Sequence, residues 1–140
     1  HVSGVLKDIM YHSGVPPDEG RVLFLGWSYK PGVGDARETP VERLAANLID
    51  SGISITAWDP YIPASDFPKE VDILDDINSA SGFDLIVLAT AHNECIQIDW
   101  QRLLASQRTP NFYDGRRVVN LQDMRNMGWR ANAVGSPIKY

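Results

Sequence analysis

Short, wholly apolar runs that alternate with stretches of helical periodicity restrict the fold of this sequence more than any other feature. Val22 to Leu25 and the segment FDLIVLAT (83–90) contain such runs. A run without polar alternation is typical of a strand in a parallel sheet, because helices cover both faces of that sheet. We therefore predict an α/β fold: a three-layer, Rossmann-like domain with a mainly parallel sheet of five or six strands.

The remaining segments fit the same plan. The helix after the first strand is predicted to begin with Thr39 as N-cap, Pro40 at its first position and Glu42 in a capping box. In a parallel sheet the loops that follow the strands meet at one edge, where ligands bind. Further strands are predicted at ISITAW (53–58), VDIL (71–74), either NFYDG (111–115) or RRVVN (116–120), and WRANAVG (129–135); further helices at 76–80, 98–107 and 121–128.

The bulk composition limits the classes of function. A chain of 140 residues suits one globular domain, and a net charge of -5 argues against a sequence-independent nucleic-acid partner. No apolar run approaches the length of a membrane span. Cys95 is the single cysteine, which excludes an internal disulfide and a metal site built from cysteines. We expect a cytoplasmic protein with no membrane span, no nucleic-acid partner and no bound metal.

The beginning of the chain is unusual. HVSGVLKDIMYHSG (1–14) has apolar residues at helical spacing, but it has neither an initiator methionine nor an N-terminal capping residue. We expect residues 1–15 to be the end of a longer helix and residues 16–140 to form the domain.

The segment GWSYKPGVGDAR (26–37) connects the first strand to the next helix. It is much longer than the roughly 2–6 residues usual for such a connection. Lys30 supplies a flexible positive charge, and Arg37 supplies a planar fork suited to phosphate or carboxylate. Asp35 cannot bind an anion, so we expect it to hold Arg37 or to accept backbone N–H groups. The pattern predicts an anion-binding loop at the ligand edge.

A second interpretation of this loop stays open. Asp35 and Arg37 would pair with each other and with Glu38, and the loop would bind nothing. The loop also matches neither common phosphate-binding motif. Lys30 lacks the context of a Walker loop, and the paired glycines are followed by Arg37 where a dinucleotide fingerprint has its third glycine.

The stretch VLFLGWSYKPGVGDARETPVERLAANLIDSGISITAWDPYIP (22–63) resembles the start of the C-terminal, UDP-binding domain of the UDP-glucose/GDP-mannose dehydrogenase family. LIVLATAH (85–92), YDGRRVV (113–119) and MGWRANAVG (127–135) are similar to later segments of that domain. The resemblance covers almost the whole chain. The family signature G-x-x-[FY]-K, D-x-R-E-[ST]-P and D-P is met by Gly26, Tyr29, Lys30, Asp35, Arg37, Glu38, Thr39, Pro40, Asp59 and Pro60.

The resemblance implies a function. Members of the family use NAD to oxidise the primary alcohol of a nucleotide-sugar to a carboxylate, with NAD on an N-terminal domain and a catalytic cysteine before the present domain. It implies that Tyr29 and Lys30 bind the UDP-sugar and that Arg37 reaches the NAD. Arg116 would meet the UDP-sugar of a neighbouring subunit in a homo-oligomer. Residues 1–15 would then end a linker from a missing central domain, and this chain would contain no catalytic residue.

Several residues keep simpler interpretations. Tyr29 is also compatible with an ordinary half-buried aromatic, and Asp59, placed where a Rossmann domain keeps its ribose carboxylate, is interpreted as a turn-former because Pro60 follows. His92 lies on the ligand edge, but a lone histidine is more often structural or solvated than catalytic. Cys95 is interpreted as a plain thiol, since no neighbouring lysine or arginine would lower its pKa. Trp100, Leu103, Leu104 and Trp129 are predicted to lie in the core.

Two other functions remain as alternatives. One is a stand-alone nucleotide-binding or assembly module. The other is a signalling receiver domain, with Asp59 as phosphoacceptor and Thr90 as switch residue. The receiver requires an acidic pair after the first strand, where this sequence has Gly26 and Trp27.

Overall fold

A computed structural model describes residues 1–37 and 39–140. Within these residues, no helix is long and apolar enough to cross a membrane. Strands and helices alternate as the sequence predicts. In chain order the elements are α1 (Val2–His12), β1 (Arg21–Leu25), α2 (Pro40–Asp50), β2 (Ser54–Trp58), β3 (Asp72–Ile73), β4 (Leu85–Leu88), α3 (Asn93–Ile96), α4 (Trp100–Ala105), β5 (Asn111–Asp114), α5 (Leu121–Met127) and β6 (Arg130–Ala133), with short 3₁₀ turns at Pro17–Glu19, Ala64–Asp66 and Ile77–Ser79.

The strands form one sheet in the order β3-β2-β1-β4-β5-β6, and every neighbouring pair is parallel. This confirms the predicted α/β, Rossmann-like fold, with six strands among the described residues. The chain order reverses between β1 and β4, which is the switch point where such sheets open a crevice for ligands. Receiver domains have the order 2-1-3-4-5, so this topology does not match the receiver alternative.

Each face of the sheet has its own apolar layer. Val22 and Phe24 of β1 pack on the side of α1 and α2, whereas Leu23 and Leu25 pack on the side of α4 and α5. The alternation follows from the two-residue period of a strand. Both faces of β1 are therefore buried, as its uninterrupted apolar sequence predicts. The predicted core residues Trp100, Leu103 and Trp129 are buried and Leu104 is partly buried, all on the second face.

Helix α1 is part of this core. Leu6, Ile9 and Met10 are buried in the first layer, where α1 contacts α2 and β5. The assignment of residues 1–15 as the end of a linker stays a prediction.

Helix α2 begins at the predicted cap. The Thr39 hydroxyl accepts the backbone N–H of Glu42 at 3.0 Å, and Pro40 is the first helical residue. Gly52 follows the helix with a φ of 92°, a conformation that favours glycine. The long loop therefore ends at Thr39. Glu38, which the second interpretation of the loop pairs with Asp35 and Arg37, lies outside the described residues.

Two details differ from the sequence-based expectation. Of the two candidates for the fifth strand, Asn111–Asp114 forms β5, and residues 116–120 form a loop instead. The short helix α3 (Asn93–Ile96) was not predicted. Both differences lie at the ligand edge, where loops rather than strands carry the polar residues.

Asp84 lies at the other end of the strands, where their amino ends meet, and is fully buried. Its carboxylate accepts the backbone N–H of Arg21 at 3.0 Å, the Thr109 hydroxyl at 2.9 Å and the Arg108 Nε at 2.7 Å. Burial acts to raise the pKa of Asp84, but the bonds from Arg108, Arg21 and Thr109 together hold it below its ordinary value. This ion pair joins the starts of the strands, away from the ligand edge.

Candidate functional site

The long loop after β1, residues 26–37, approaches neighbouring loops closely at two of its glycines. A Cβ on Gly26, whose φ is 90°, would lie 2.4 Å from the Thr90 Cβ, and a Cβ on Gly34 would lie 2.0 Å from the Tyr61 carbonyl oxygen. Both positions therefore require glycine. The Tyr29 N–H donates to the Asp35 carbonyl oxygen at 2.9 Å and closes the loop on itself.

Asp59, directly after β2, holds the first part of this loop. Its Oδ2 accepts the backbone N–H groups of Trp27 and Ser28 at 2.8 and 2.9 Å, the Ser28 hydroxyl at 2.8 Å, and lies 2.9 Å from the His92 Nε2. Its Oδ1 accepts the Tyr61 N–H at 2.9 Å. Asp59 is thus a turn-former, as predicted, and also joins the loops after β1, β2 and β4.

The carboxyl group of Asp59 is ionised at neutral pH. Burial is the largest influence on it and acts to raise its pKa. The hydrogen bonds from Trp27, His92, Tyr61 and Ser28 together outweigh burial, so the pKa lies below its ordinary value of 3.8. Asp59 is only 7% exposed, and both of its oxygens have donors. It is therefore not available as the phosphoacceptor of a receiver domain.

His92, in the loop after β4, is fully buried beside Asp59. Its second ring nitrogen, Nδ1, accepts the backbone N–H of Gly32 at 2.8 Å. Of the two interpretations of this histidine, the structure supports the structural one and excludes the solvated one. Thr90 adds a further link, because its hydroxyl donates to the Ser28 carbonyl oxygen at 2.8 Å.

Tyr61 covers the Asp59–His92 pair. Its ring lies 4.4 Å from the His92 ring, centroid to centroid, and its hydroxyl donates to the Glu94 carboxylate at 2.8 Å. Cys95 lies beneath, fully buried. Burial, with the negative charges of Asp59 and Glu94, raises the pKa of Cys95 to about 12, so the thiol is protonated and inert, as predicted.

Tyr29 and Lys30 project from this fixed loop into solvent. Tyr29 is 52% exposed, a value that fits both a ligand-facing ring and an ordinary half-buried aromatic, and Lys30 is exposed as well. Within the described part of the chain, Lys30 takes part in none of the ion pairs. An aromatic ring and a positive charge thus stand together at the carboxyl edge of the sheet.

Arg37 pairs with Asp35, which the anion-binding interpretation of the loop allows and the second interpretation requires. Asp35 accepts the Arg37 backbone N–H at 3.1 Å, its Nε at 3.2 Å and one Nη at 3.4 Å. The bonds from Arg37 lower the pKa of Asp35. The Arg37 side chain is 89% exposed, and an ion pair in water contributes little to stability. The observed pair is common to both interpretations of the loop, so it does not decide between them.

Arg116 lies in the loop after β5, which Asp114 shapes. The buried Asp114 carboxylate accepts the backbone N–H groups of Arg116 at 2.9 Å, Val118 at 2.7 Å and Val119 at 2.9 Å. The Arg116 Nε donates to the Ala89 carbonyl oxygen at 2.8 Å. Arg116 is thereby held against the loop after β4, next to the switch point.

The neighbour of Arg116 in the chain is Arg117. Strand β5 ends at Asp114, and both arginines lie in the loop. Arg117 has a φ of 57°, and its guanidinium donates to the Val134 carbonyl oxygen and the Ser136 hydroxyl after β6. The two side chains still diverge, because they bind different loops.

Two open recesses accompany these residues. One of about 220 Å³ lies between α2 and β4, with Pro40, Ala89, Tyr113 and Arg116 among its lining residues. The other, of about 510 Å³, is formed by residues 33–37 and Asp66. Burial and, to a smaller extent, the charge of Asp114 raise the pKa of Tyr113, which lines the same recess as Arg116. Its hydroxyl therefore stays protonated.

A dinucleotide does not fit this edge in the manner of a Rossmann fingerprint. That mode needs a short glycine-rich turn that leads directly into a helix, and a carboxylate after the second strand that binds the ribose. Here the loop runs on to Thr39 before α2 begins, and Asp59 is buried with both oxygens occupied. The residues present are suited instead to an anionic ligand on an open surface.

Sequence reasoning missed the links among Ser28, Thr90 and the Asp59–His92 pair. Asp59 and His92 each follow a strand that neighbours β1, so the strand order alone would have placed them near the loop. The hydrogen bonds depend on atomic distances, which sequence patterns do not encode.

Comparison with known proteins gives the family. The model of the UDP-glucose/GDP-mannose dehydrogenase family, UDP binding domain, matches residues 23–121. The UDP-glucose 6-dehydrogenase of Rickettsia bellii is 30% identical over 122 residues, which cover 84% of this chain and 28% of the relative. The UDP-N-acetyl-D-mannosamine dehydrogenase of Methanocaldococcus jannaschii is 29% identical over 124 residues, which cover 86% and 28%.

A solved structure shares the fold. The NDP-N-acetyl-D-galactosaminuronic acid dehydrogenase from Methanosarcina mazei Go1 superposes with a TM-score of 0.83 at 23% identity, over 94% of this chain and 28% of that one. The chain therefore spans little more than a quarter of the length of its relatives. Because the family model matches most of the sequence, this protein belongs to the UDP-glucose/GDP-mannose dehydrogenase family and carries its UDP binding domain.

Proposed function

We propose that this chain is the C-terminal, substrate-binding domain of a cytoplasmic, NAD-dependent nucleotide-sugar dehydrogenase. The whole protein would oxidise the C6 primary alcohol of a UDP-sugar to the uronic acid used in surface polysaccharide synthesis. UDP-glucose, UDP-N-acetylglucosamine and UDP-N-acetylmannosamine are the candidate substrates. Relatives named for UDP-glucose and for UDP-N-acetyl-D-mannosamine support this class of substrate.

One observation carries the proposal. The loop of residues 26–37 lies at the switch point of the sheet and is held there by Asp59 and His92, while Tyr29 and Lys30 remain exposed on it. A rigid loop that presents an aromatic ring and a positive charge suits a nucleoside diphosphate. The loop also lies within the segment that the family model matches.

Each predicted site residue has a chemical task in this proposal. Lys30 complements the charge of the diphosphate, and Tyr29 packs its ring against the nucleotide-sugar. Arg116 binds the UDP-sugar of a neighbouring subunit, with its guanidinium oriented by the Ala89 carbonyl oxygen. Arg37, oriented by Asp35, faces the NAD.

The rest of the machinery lies outside this chain. NAD, which accepts the electrons of the oxidation, is bound mainly by an N-terminal domain, as the family resemblance implies. In agreement with this, the loop after β1 lacks a dinucleotide fingerprint. Cys95 is buried and protonated, so it does not serve as the catalytic nucleophile. The isolated chain is therefore inactive. It binds the UDP part of the substrate weakly by itself, and the complete site requires the other domains and a second subunit.

Binding is tested by titrating the labelled chain with UDP and following amide shifts. Lys30→Met removes the charge but keeps an unbranched side chain, and we expect it to weaken binding about tenfold, or about 1.4 kcal/mol. Lys69→Met is the matched control. Lys69 is also an exposed lysine, but it lies just before β3, on the side of the sheet where the strands begin. Equal affinities of the two variants would contradict the role of Lys30.

Catalysis is tested with a protein that joins this chain to its NAD-binding and central domains. We expect NAD reduction with one of the three UDP-sugars and none by the 140-residue chain alone. Arg116→Ala should raise the KM for the UDP-sugar in that protein. NAD reduction by the isolated chain would refute the assignment of the chemistry to other domains, and an unchanged KM would refute the role of Arg116.

A further inference from the structure

We infer that Asp59 and His92 are positioning residues, which hold the loop of residues 26–37 in the one place where Tyr29 and Lys30 face the ligand edge. His92 acts as a buried two-sided link, with Asp59 on one ring nitrogen and the backbone of Gly32 on the other. The consequence for UDP binding depends on the proposed function, whereas the position of the loop does not.

The proton on His92 follows from its neighbours. A backbone N–H can only donate, so the Gly32 N–H requires a lone pair on His92 Nδ1, 2.8 Å away. The proton of the neutral ring must then be on Nε2, where it points to the Asp59 carboxylate at 2.9 Å. Asp59 thus selects the tautomer that can accept from the loop.

The contacts of the pair lie on both sides of Tyr29 and Lys30. Asp59 holds Trp27 and Ser28, which precede these two residues, and His92 holds Gly32, which follows them. Between the two anchors the chain reaches solvent. The short segment that carries the ring and the charge is therefore fixed at each end by a buried side chain, one from the loop after β2 and one from the loop after β4.

The covering residues isolate the pair from water. Tyr61 lies against the His92 ring, and its hydroxyl is held by Glu94, while Cys95 is buried close by. Neither Asp59 nor His92 has an exposed side chain. The pair therefore has no direct contact with a ligand at the exposed edge, and its effect must pass through the loop.

Two substitutions separate the two sides of the histidine. His92→Asn retains an acceptor near the position of Nδ1, so it keeps the bond from Gly32 and loses the donor to Asp59. His92→Gln retains a donor near the position of Nε2, so it keeps Asp59 satisfied and loses the acceptor for Gly32. Both variants lose the ring, so loss of packing alone predicts equal behaviour.

We expect the Gly32 amide to exchange with solvent about two- to tenfold faster in His92→Gln than in His92→Asn, as for loss of one neutral hydrogen bond. The affinity for UDP should fall by a similar factor in His92→Gln and stay closer to the original in His92→Asn. Equal exchange of Gly32 in the two variants would overturn the link. Unequal exchange with equal UDP affinity would overturn the positioning role.

A measurement without substitution covers the case in which neither variant folds. Long-range ¹H–¹⁵N correlation in the unsubstituted chain should show His92 as the Nε2–H tautomer at neutral pH, and an Nδ1–H tautomer would overturn the inference. UDP binding and the link through His92 can fail separately. If UDP shifts no amide of the unsubstituted chain, the proposed function fails, while Gly32 exchange and the His92 tautomer still decide the link.

Discussion

Replacing Asp59 removes the acceptor on which three loops depend. In Asp59→Ala the backbone N–H groups of Trp27 and Ser28 and the His92 Nε2–H lose their partner in a buried environment. A buried donor without a partner costs about 1–3 kcal/mol. Water that enters the space left by the carboxylate offsets part of this cost, so we expect the free energy of unfolding to fall by about 3–5 kcal/mol in total. Asp59→Asn keeps one acceptor oxygen, so its loss should be smaller, about 1.5–3 kcal/mol.

The free energy of unfolding, measured by urea titration with tryptophan fluorescence, tests this expectation. Asp50→Asn is the control, because Asp50 is exposed at the end of α2, and its effect should stay within about 0.5 kcal/mol. The dependence on urea should keep its slope if only stability changes. A loss below about 1 kcal/mol for Asp59→Ala would refute the view that this carboxylate holds the loops together.

Three further predictions concern other buried groups and close contacts. Asp59 and Asp84 both have pKa values below 3.8 in the folded chain, so the stability that their charged forms add to the fold is complete above pH 3.8 and is lost as the pH falls through the folded-state pKa values. The free energy of unfolding should therefore begin to fall below about pH 4, and it should fall less steeply with pH in Asp59→Asn. Cys95, with a pKa of about 12, should react with a thiol reagent only at the rate of unfolding, and fast labelling of the native chain would show that it is accessible. Gly26→Ala should lower the midpoint of thermal unfolding because the new Cβ would lie 2.4 Å from a carbon of the loop after β4; Gly4→Ala in α1, with no atom within 4 Å, should not, and equal midpoints would contradict the packing.

The order of strands and helices could be predicted because it depends on local patterns. The apolar run of β1 indicates burial on both faces, and the Thr39-Pro40 pair marks the start of α2. The choice between residues 111–115 and 116–120 for the fifth strand could not be made, because both segments contain apolar residues and only pairing with β4 distinguishes them. Tertiary contacts decided that case.

The candidate site was predictable in part. The length of the loop and the residue types of Tyr29 and Lys30 indicated a binding surface, and the structure places both side chains in solvent at the predicted edge. What holds the loop was not predictable. Asp59 and His92 are far apart in sequence, and their joint role depends on two parallel strands that place them on either side of β1.

We propose that this chain binds the UDP part of a nucleotide-sugar at the carboxyl edge of its sheet. The most direct test is a map of backbone amide shifts in the unsubstituted chain on addition of UDP, with uridine as the comparison ligand. We predict that UDP shifts residues 26–37, and that uridine at the same concentration shifts them less because it lacks the diphosphate. Shifts confined to the opposite edge around Asp84 and Arg108, or no shifts with UDP, would contradict the account.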